Sequence, residues 1–527
     1  MAKSSMIRNI SIVSSMTIVS RIFGYLRDRA TVRFFGTSEI FGAFILAFSL
    51  PNLFRRLLGE GALSSAVVPM LSSQYVSHGR ESMFNLFNLI IRRLVTILFC
   101  ILAVIYVVIL ITSNIITVLA AKDVIIGEKW TMVLSFTSAL LPYMAFVCLS
   151  AMCAAVLNIL GKFFIASINQ IWMNISMILS LLIGRLCYNF DGIKLMHCLI
   201  AGVLIGGILQ LIISLCALVA IGWRPTSSSG CHDMEENMRM TWKLFLPGAF
   251  GAAIEQLNIL ISRGIAYTFS PSVVASLYIA VRITELPTGI FGAAITTVFF
   301  PSIAKSASSD ASASAIGKTF SGCLVAMAWI LLPSAVGLFI LRHEIISVLF
   351  EYGDFSSKDV LSVVPLVTAY CVSMVFSGTS ALLIRGFHSL KNTKTPALVG
   401  VIVLVSNAFL ALTLVGPFGA TGLAMATAST AILQCILLLI LFKRTASIPI
   451  SFGLSNCTTI VRGCVTVAAI AFAAKFFVNF IKNYLPLVLR HSDITAIALS
   501  IALAIPAYLL ICRKFIANVI RPAAGKS

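Results

Sequence analysis

Long uninterrupted apolar segments are the feature that most constrains this chain. Several reach the length of about 18 residues that crosses a bilayer as a helix. They include 97–112 with its flanks, 131–160, 323–341, 395–415 and 493–512. In lipid, every backbone polar group must be satisfied internally, which runs of this length achieve as helices rather than as barrel strands. Because apolar residues make up 59% of the chain and charged residues only 11%, the sequence predicts an all-α polytopic membrane protein.

Breaks between the apolar segments predict about fourteen transmembrane helices. We place them at roughly 9–34, 39–76, 86–112, 131–160, 166–186, 194–222, 242–269, 273–305, 316–341, 360–388, 395–415, 418–443, 457–481 and 493–513. The second is expected to be interrupted at Pro51, because proline removes a helical hydrogen bond. With the N-terminus in the cytoplasm, the loops on that side receive most lysines and arginines. The positive-inside rule therefore predicts that both termini are cytoplasmic.

The formal net charge of +20 does not predict a nucleic acid partner. Most of the excess lies in short loops and at helix ends, where positive charge sets membrane orientation. The 13 cysteines are scattered without a C-x-x-C pair, and the six histidines lack partners at ligand spacing. We therefore expect neither disulfides nor a metal site. The chain has no Walker-type phosphate loop, and we expect no cofactor and no enzymatic activity.

Two halves of the chain share proline and amide residues in the same order. Four pairs recur at offsets of 224–236 residues. They are Pro51 with Pro287, Pro69 with Pro301, Asn174 with Asn407, and Gln210 with Gln434. Because an even number of helices separates the halves, both enter the membrane from the same side. This arrangement is typical of parallel repeats with the substrate path between them.

The repeat predicts a division of the chain into four segments. They are an N-terminal six-helix lobe at 1–222, a cytoplasmic linker at 223–241, a C-terminal six-helix lobe at 242–445, and two extra helices with a basic tail at 446–527. A GxxxG pattern at Gly202–Gly206 is explained equally well by an internal helix contact or a dimer interface. The oligomeric state therefore stays open, with a monomer as the simpler expectation.

Four arginines lie in residues 20–36 (SRIFGYLRDRATVRFFG). Arg29 and Arg33 fall near the outer end of the helix, and we expect them to reach the membrane surface. The preceding apolar run is too short to place both Arg21 and Arg27 at an interface, so we expect these two to face an internal cavity. Asp28 shares a helical face with Arg21 and is its expected partner.

A second charged cluster lies in residues 50–69 (LPNLFRRLLGEGALSSAVVP). Arg56 and Glu60 are four residues apart, which predicts an ion pair within the helix. That pairing leaves Arg55 to point elsewhere, either into a cavity or toward the cytoplasmic surface.

The second half of the chain carries corresponding charges. Arg263 lies 236 residues after Arg27, at the equivalent position of the repeat. In residues 281–287 (VRITELP), Arg282 and Glu285 precede a proline. The helix of Arg263 also contains Glu255, which we expect to form hydrogen bonds between helices rather than a cation site.

The sign of these embedded charges predicts an anionic substrate. Arginines outnumber the carboxylates among the membrane-embedded residues. A cavity lined in this way suits an anion, and the planar guanidinium group matches phosphate oxygens in pairs. A transporter of organic cations is expected to show the opposite balance.

Three segments resemble one known family. They are SSMTIVSRIFGYLRDRATVRFFG at 14–36, AFSLPNLFRRLLGEGALSSAVVPML at 47–71, and YIAVRITELPTGIFGAAITTVFFPSIAKS at 278–306. They closely resemble the MurJ (MviN) lipid II flippases of the MOP exporter superfamily, and the resemblance extends across the chain. It implies transfer of the undecaprenyl-pyrophosphate-linked peptidoglycan precursor from the inner to the outer leaflet of the bacterial cytoplasmic membrane. It also implies a cationic central cavity that opens alternately to each side, and a groove for the lipid tail on the last two helices.

The resemblance and the repeat together predict the site residues. The resemblance implies cavity arginines at Arg21, Arg27, Arg55 and Arg282, with Asp28, Glu60 and Glu285 as partners. The repeat adds Arg263, and we expect these five arginines to hold the pyrophosphate. Supporting and gating roles are predicted for Asp28, Glu39, Arg56, Glu60, Glu255, Glu285, Pro51 and Pro287.

The chain departs from the family pattern at two places. Gly42 stands where the family usually has an aspartate, and Glu39, three residues earlier on nearly the same helical face, is a candidate replacement. Ala166 and Gln170 stand where prolines are often found early in the fifth span. These departures concern coupling and gating more than the class of substrate.

Three other functions remain open. A flippase for another polyprenyl-pyrophosphate oligosaccharide explains the same arginines, whereas a MATE-like drug or cation antiporter is disfavoured by their sign. A non-transporting membrane scaffold leaves the paired Arg27 and Arg263 unexplained. For a flippase, we expect lipid II and membrane lipids as partners. The membrane potential is the expected driving force, with coupling to protons or sodium left open.

Overall fold

The computed structural model describes most of the chain, and the described part is helical, without a strand. The described residues are 2–60, 62–120, 124–225, 232–285, 287–289, 313–390, 392–446, 454–484, 497–508 and 510. The first unit contains α1 (Ala2–Phe35), α2 (Glu39–Phe54), a π-helical segment (Arg55–Glu60), α3 (Ala62–Ala120), α4 (Val124–Ile159), α5 (Phe163–Leu186), α6 (Gly192–Ala220) and α7 (His232–Phe269). There follow α8 (271–285), α9 (Ala313–Ile340), α10 (Arg342–Phe350), α11 (Ser357–Ser389), α12 (Lys394–Ala446), α13 (Leu454–Tyr484) and α14 (497–508).

The helices have the lengths and composition of membrane spans. In the part of the chain that the structure describes, nine helical stretches are long and apolar enough to cross a bilayer. The predicted all-α polytopic membrane protein is therefore confirmed. The predicted span at 493–513 is described only over 497–508 and residue 510, and the end of the predicted span at 273–305 lies outside the described residues.

Two of the longest helices are divided at a glycine. Within α3, Gly79 has φ 79° and ψ −175°, and within α12, Gly419 has φ 56° and ψ −137°. Positive φ is strained for residues with a Cβ, which explains why glycine occupies both positions. Gly79 lies between the predicted spans 39–76 and 86–112, and Gly419 is the second residue of the predicted span 418–443.

The interruption expected at Pro51 lies elsewhere. α2 continues through Pro51 as far as Phe54, and the backbone changes to π-helical geometry over Arg55–Glu60. A proline removes one backbone donor but leaves the rest of the helix able to continue, whereas a π-helical segment changes the hydrogen-bond register of every residue in it. The prediction of a break at the proline was therefore wrong by about one turn.

The chain divides into two compact units, Met1–Ala275 and Ser276–Ser527. The predicted lobe and linker boundaries stay predictions. In the first unit, small residues allow α5 and α6 to approach closely. A Cβ added to Gly202 would lie 2.1 Å from Ser180 Oγ, and one added to Gly206 would lie 2.6 Å from Met173 Cα. The GxxxG pattern is thus used for a contact inside the unit.

The second unit has an aromatic core where α9, α11 and α12 meet. The ring of Phe320 stacks on Phe442 with centroids 4.5 Å apart, and Phe387 meets Phe442 edge-on at 5.0 Å. α13 packs against α9, and Tyr508 of α14 donates a hydrogen bond to the Trp329 carbonyl.

A short helix, α10, lies between the predicted spans at 316–341 and 360–388, where no helix was predicted. Glu344 on α10 is 7% exposed and accepts from Lys475 Nζ of α13 at 2.7 Å. The Glu344 Oε2 atom is buried without a hydrogen-bond partner among the described residues. This ion pair fastens α10 to α13.

Candidate functional site

Arg27 is held inside the first unit by two other side chains. Its Nε and Nη2 atoms donate to Asp28 Oδ1 at 3.0 and 2.6 Å, and its Nη1 donates to Asn174 Oδ1 at 3.0 Å. The Arg27 side chain is only 12% exposed, and Asn174 is buried. The guanidinium therefore links α1 to α5 instead of reaching out to a membrane surface. Asp28, the expected partner of Arg21, accepts from its neighbour Arg27.

Arg263 of α7 is held by α2. Its Nη1 atom donates to Ser49 Oγ at 2.6 Å, and Ser49 Oγ donates in turn to the Ile45 carbonyl at 2.7 Å. Ser49 is buried, so this chain of two hydrogen bonds lies within the unit. One turn later, the Tyr267 hydroxyl donates to the Lys129 carbonyl of α4 at 2.7 Å. The face of α7 that carries Arg263 is thus fixed against α2 and α4.

Arg55 begins the π-helical segment. Its Nε atom donates to Asn52 Oδ1 at 2.9 Å. Asn52 lies on the last turn of α2, three residues before Arg55, and this spacing places the acceptor within reach of the arginine. Arg56 is partly buried, and the Glu60 side chain lies outside the described residues. The predicted pairing of Arg56 with Glu60 therefore stays a prediction.

Several predicted residues lie on exposed parts of the helices. Arg21 of α1, Glu39 of α2 and Glu255 of α7 are exposed, as is Arg29, which was expected to reach the surface. The pairing of Arg21 with Asp28 and the hydrogen bonds of Glu255 between helices therefore stay predictions.

Gly42 lies where α2 meets the start of α8. A Cβ added to Gly42 would be 1.9 Å from the carbonyl oxygen of Pro271. No side chain fits at this distance without moving backbone, so the aspartate usual in the family cannot occupy this position in the present packing. Glycine permits the close approach of two backbone segments here.

In the second unit, Arg282 is paired on its own helix. Its Nη1 atom donates to Glu285 Oε2 at 2.8 Å, and its guanidinium lies 4.8 Å from the centre of the Tyr278 ring. The two charged side chains are 40% and 49% exposed, so the pair is only partly shielded. Pro287, two residues on, is partly buried.

The structure adds three residues that the sequence analysis did not place in the site. Asn174, Ser49 and Asn52 each accept a hydrogen bond from one of the predicted arginines. The expected partners of the arginines were carboxylates, and Asn174 was expected only as a member of the repeat. A signal was nevertheless present, because Ser49 and Asn52 flank the proline in SLPN. Among the described residues, no group of three His, Cys, Asp or Glu side chains is placed to hold a metal ion.

Comparison with known proteins identifies a family whose model matches most of the chain. The family model described as Lipid II flippase MurJ matches residues 31–491. A protein from Rhizobium meliloti (strain 1021), named "Probable lipid II flippase MurJ", is 30% identical over 436 residues, which cover 80% of this chain and 78% of the relative.

Two solved structures share the fold. A lipid II flippase MurJ in an inward closed conformation has a TM-score of 0.74 at 23% identity, covering 97% of this chain and 99% of the other. An inward-facing multidrug resistance MATE family transporter of the MOP superfamily has a TM-score of 0.62 at 14% identity, covering 83% of this chain and 98% of the other. At these identities the likeness shows the fold alone.

Proposed function

The chain belongs to the lipid II flippase MurJ family, and from this premise we propose how its arginines take part in transport. The family match covers most of the chain and makes it a lipid II flippase. A flippase moves its substrate between leaflets without making or breaking a covalent bond, so the protein is a transporter rather than an enzyme. The likeness to a MATE transporter concerns the fold and does not favour drug export.

In our proposal, Arg21, Arg27, Arg55, Arg263 and Arg282 bind the pyrophosphate of lipid II. The observation that carries it is the hydrogen bond from Arg263 to the buried Ser49, which keeps a guanidinium inside the helical unit. A charged group is retained within a membrane protein at a substantial energetic cost, which favours a functional role. A hydroxyl acceptor orients the guanidinium fork without adding a negative charge that would repel phosphate.

Transport proceeds by alternating access in this proposal. The headgroup is taken up from the cytoplasmic side of the bacterial inner membrane and released on the outer side, while the polyprenyl tail stays in lipid beside α13 and α14. Both chain termini are cytoplasmic, which the distribution of lysines and arginines supports. Moving a headgroup with about two negative charges outward across 100 mV is favoured by about 4–5 kcal/mol. The potential can therefore drive transport without a cofactor. Coupling to a proton or sodium gradient is the alternative source of energy.

Arg263→Ala tests the role of the arginines. Loss of one hydrogen bond from a charged group, worth about 1.5–3 kcal/mol, should lower the rate of lipid II transport about tenfold or more. Arg263→Lys should give an intermediate rate, because lysine keeps the charge but not the planar fork. The measurement is the accessibility of labelled lipid II in the outer leaflet of proteoliposomes that contain only this protein.

Arg29→Ala is the matched control, since Arg29 also lies on α1 but is expected at the membrane surface near the outer end of the helix and is not one of the five proposed site arginines. It should transport at nearly the wild-type rate. Wild-type transport by Arg263→Ala would remove this arginine from the mechanism. A wild-type protein that moves another polyprenyl-pyrophosphate oligosaccharide but leaves lipid II in place would contradict the substrate.

A further inference from the structure

A cavity of about 580 Å³ lies within the first unit, with walls from α3, α4, α5 and α6. The last turns of α4 and the first turns of α5 form most of its lining. It therefore lies at the end of the unit where these two helices connect. In the proposed orientation this end is cytoplasmic, which is the side where lipid II is taken up. Its volume falls in the range of about 300–1,000 Å³ typical of sites for small molecules.

The lining mixes polar and apolar residues and carries no charged side chain. Six of the lining residues carry a hydroxyl or amide group, and the others are alanine, valine and isoleucine. The polar ones are Ser72, Asn158, Ser167, Asn169, Gln170 and Gln210. Without a charged side chain in the lining, the cavity is unsuited to a pyrophosphate or to a bare cation. It suits a neutral group that can form hydrogen bonds.

A hydroxyl behind the cavity determines the orientation of one of these amides. Asn169 Nδ2 lies 2.8 Å from Ser150 Oγ, and Ser150 Oγ lies 3.0 Å from the Gln210 carbonyl oxygen. Ser150 Oγ also lies 3.3 Å from Ser214 Oγ. In this network the Asn169 NH₂ group donates to Ser150. This leaves Asn169 Oδ1 as the atom without a donor.

Two side-chain oxygens at this site are buried and lack a hydrogen-bond donor among the described residues. They are Asn169 Oδ1 and Gln210 Oε1, and Gln210 is only 1% exposed. Buried polar atoms are rarely left unpaired in native proteins, and such groups call for an explanation. The terminal amide torsion of glutamine is broad and costs little to turn, so Gln210 Oε1 can rotate toward the cavity that its side chain lines.

We propose that this cavity binds the uncharged, amide- and hydroxyl-bearing part of the lipid substrate's headgroup. Sugar hydroxyls and peptide or acetamido N–H groups are the donors that the two unpaired oxygens need. The arginines described above then hold the charged part of the same headgroup. This inference rests on the proposed function.

The experiment uses the purified full-length protein and a soluble N-acetylated disaccharide–peptide that has neither pyrophosphate nor lipid. Wild type should bind this probe saturably in titration calorimetry. Gln210→Met keeps the side-chain volume but removes both polar atoms of the amide, including the unpaired oxygen, and should weaken binding about tenfold or more, the effect of at least one lost hydrogen bond. The same variant should not lower the unfolding temperature of the unliganded protein, because it removes a buried unpaired atom. A merely structural glutamine would show the opposite change in stability.

A second pair of variants tests the space rather than the oxygen. Ala154→Leu fills the cavity and should abolish binding, whereas Ala201→Leu, on an exposed face of α6, should bind as wild type does. Failure of wild type to bind the probe, unchanged binding by both Gln210→Met and Ala154→Leu, or equal binding of maltose would each overturn the proposal. Wild-type transport of lipid II is measured in parallel. Transport without probe binding overturns only this subsite, and absence of transport overturns the proposed function.

Discussion

Individual arginines in the first unit are oriented by amide and hydroxyl oxygens of neighbouring residues. Asn174 and Ser49 bring such acceptors from other helices, so each hydrogen bond also fixes how two helices pack. Sequence patterns can identify the arginines, because charged residues in apolar segments are rare. They do not identify the acceptors, since a serine or asparagine in a helix is unremarkable until the fold places it opposite a guanidinium.

Ser49→Ala tests this orienting role. The variant removes the acceptor of Arg263 and should slow lipid II transport several-fold, while the Arg263 charge remains. Ser334→Ala is a matched control, because Ser334 donates to the Ile330 carbonyl at 2.7 Å, the same type of intrahelical bond that Ser49 makes. Equal transport by the two variants would show that Ser49 contributes only to its own helix. The leaflet accessibility of labelled lipid II gives the rates.

At the scale of helices, the regular elements follow from apolar periodicity, and the exceptions have local causes. The divisions of α3 and α12 lie close to predicted span boundaries, and both occur at a glycine, because only glycine adopts such backbone angles readily. The π-helical segment at Arg55–Glu60 and the short α10 were not predicted. A π-helical turn has no distinct residue pattern, and a helix of nine residues with mixed charge resembles a loop.

The contact of α2 with α8 at Gly42 predicts a stability effect. Gly42→Ala places a Cβ 1.9 Å from Pro271 O and should lower the free energy of unfolding by about 1–3 kcal/mol. Gly42→Asp should be at least as destabilising, even though it restores the family's usual residue. Gly251→Ala is the control, since its added Cβ meets nothing within 4 Å. Thermal unfolding in detergent measures both, and a fully stable Gly42→Ala would show that this contact is not maintained.

At the scale of the whole molecule, the family resemblance in three segments was sufficient to predict the fold and the substrate class. Physical arguments alone reached a polytopic helical transporter for an anion, and could not separate lipid II from other polyprenyl pyrophosphates that present the same charge and tail. The convergence of arginines from both repeats stays a prediction. Arg282 belongs to a different compact unit from the other four arginines.

The net charge moved during transport predicts a dependence on voltage. Imposing an inside-negative potential with a potassium gradient and valinomycin should accelerate outward movement of lipid II, because about 4–5 kcal/mol is released per headgroup at 100 mV. The initial rate at zero potential is the reference. Equal rates at both potentials, with a strong response to a sodium or proton gradient, would show that ions rather than voltage drive the cycle.

The ion pair of Glu344 with Lys475 affects how shortened versions of the protein should be interpreted. Deleting everything from α13 onward takes away the ammonium that pairs with Glu344, whose side chain is buried in the full chain. Losing one member of a fully buried pair commonly costs about 3–5 kcal/mol. Because Lys475 is 33% exposed, we expect a smaller cost at α10, in addition to the loss of the proposed groove for the lipid tail. Loss of activity in the truncated protein could come from either defect. Adding Glu344→Gln to the truncated protein would separate them, because it removes the unpaired charge.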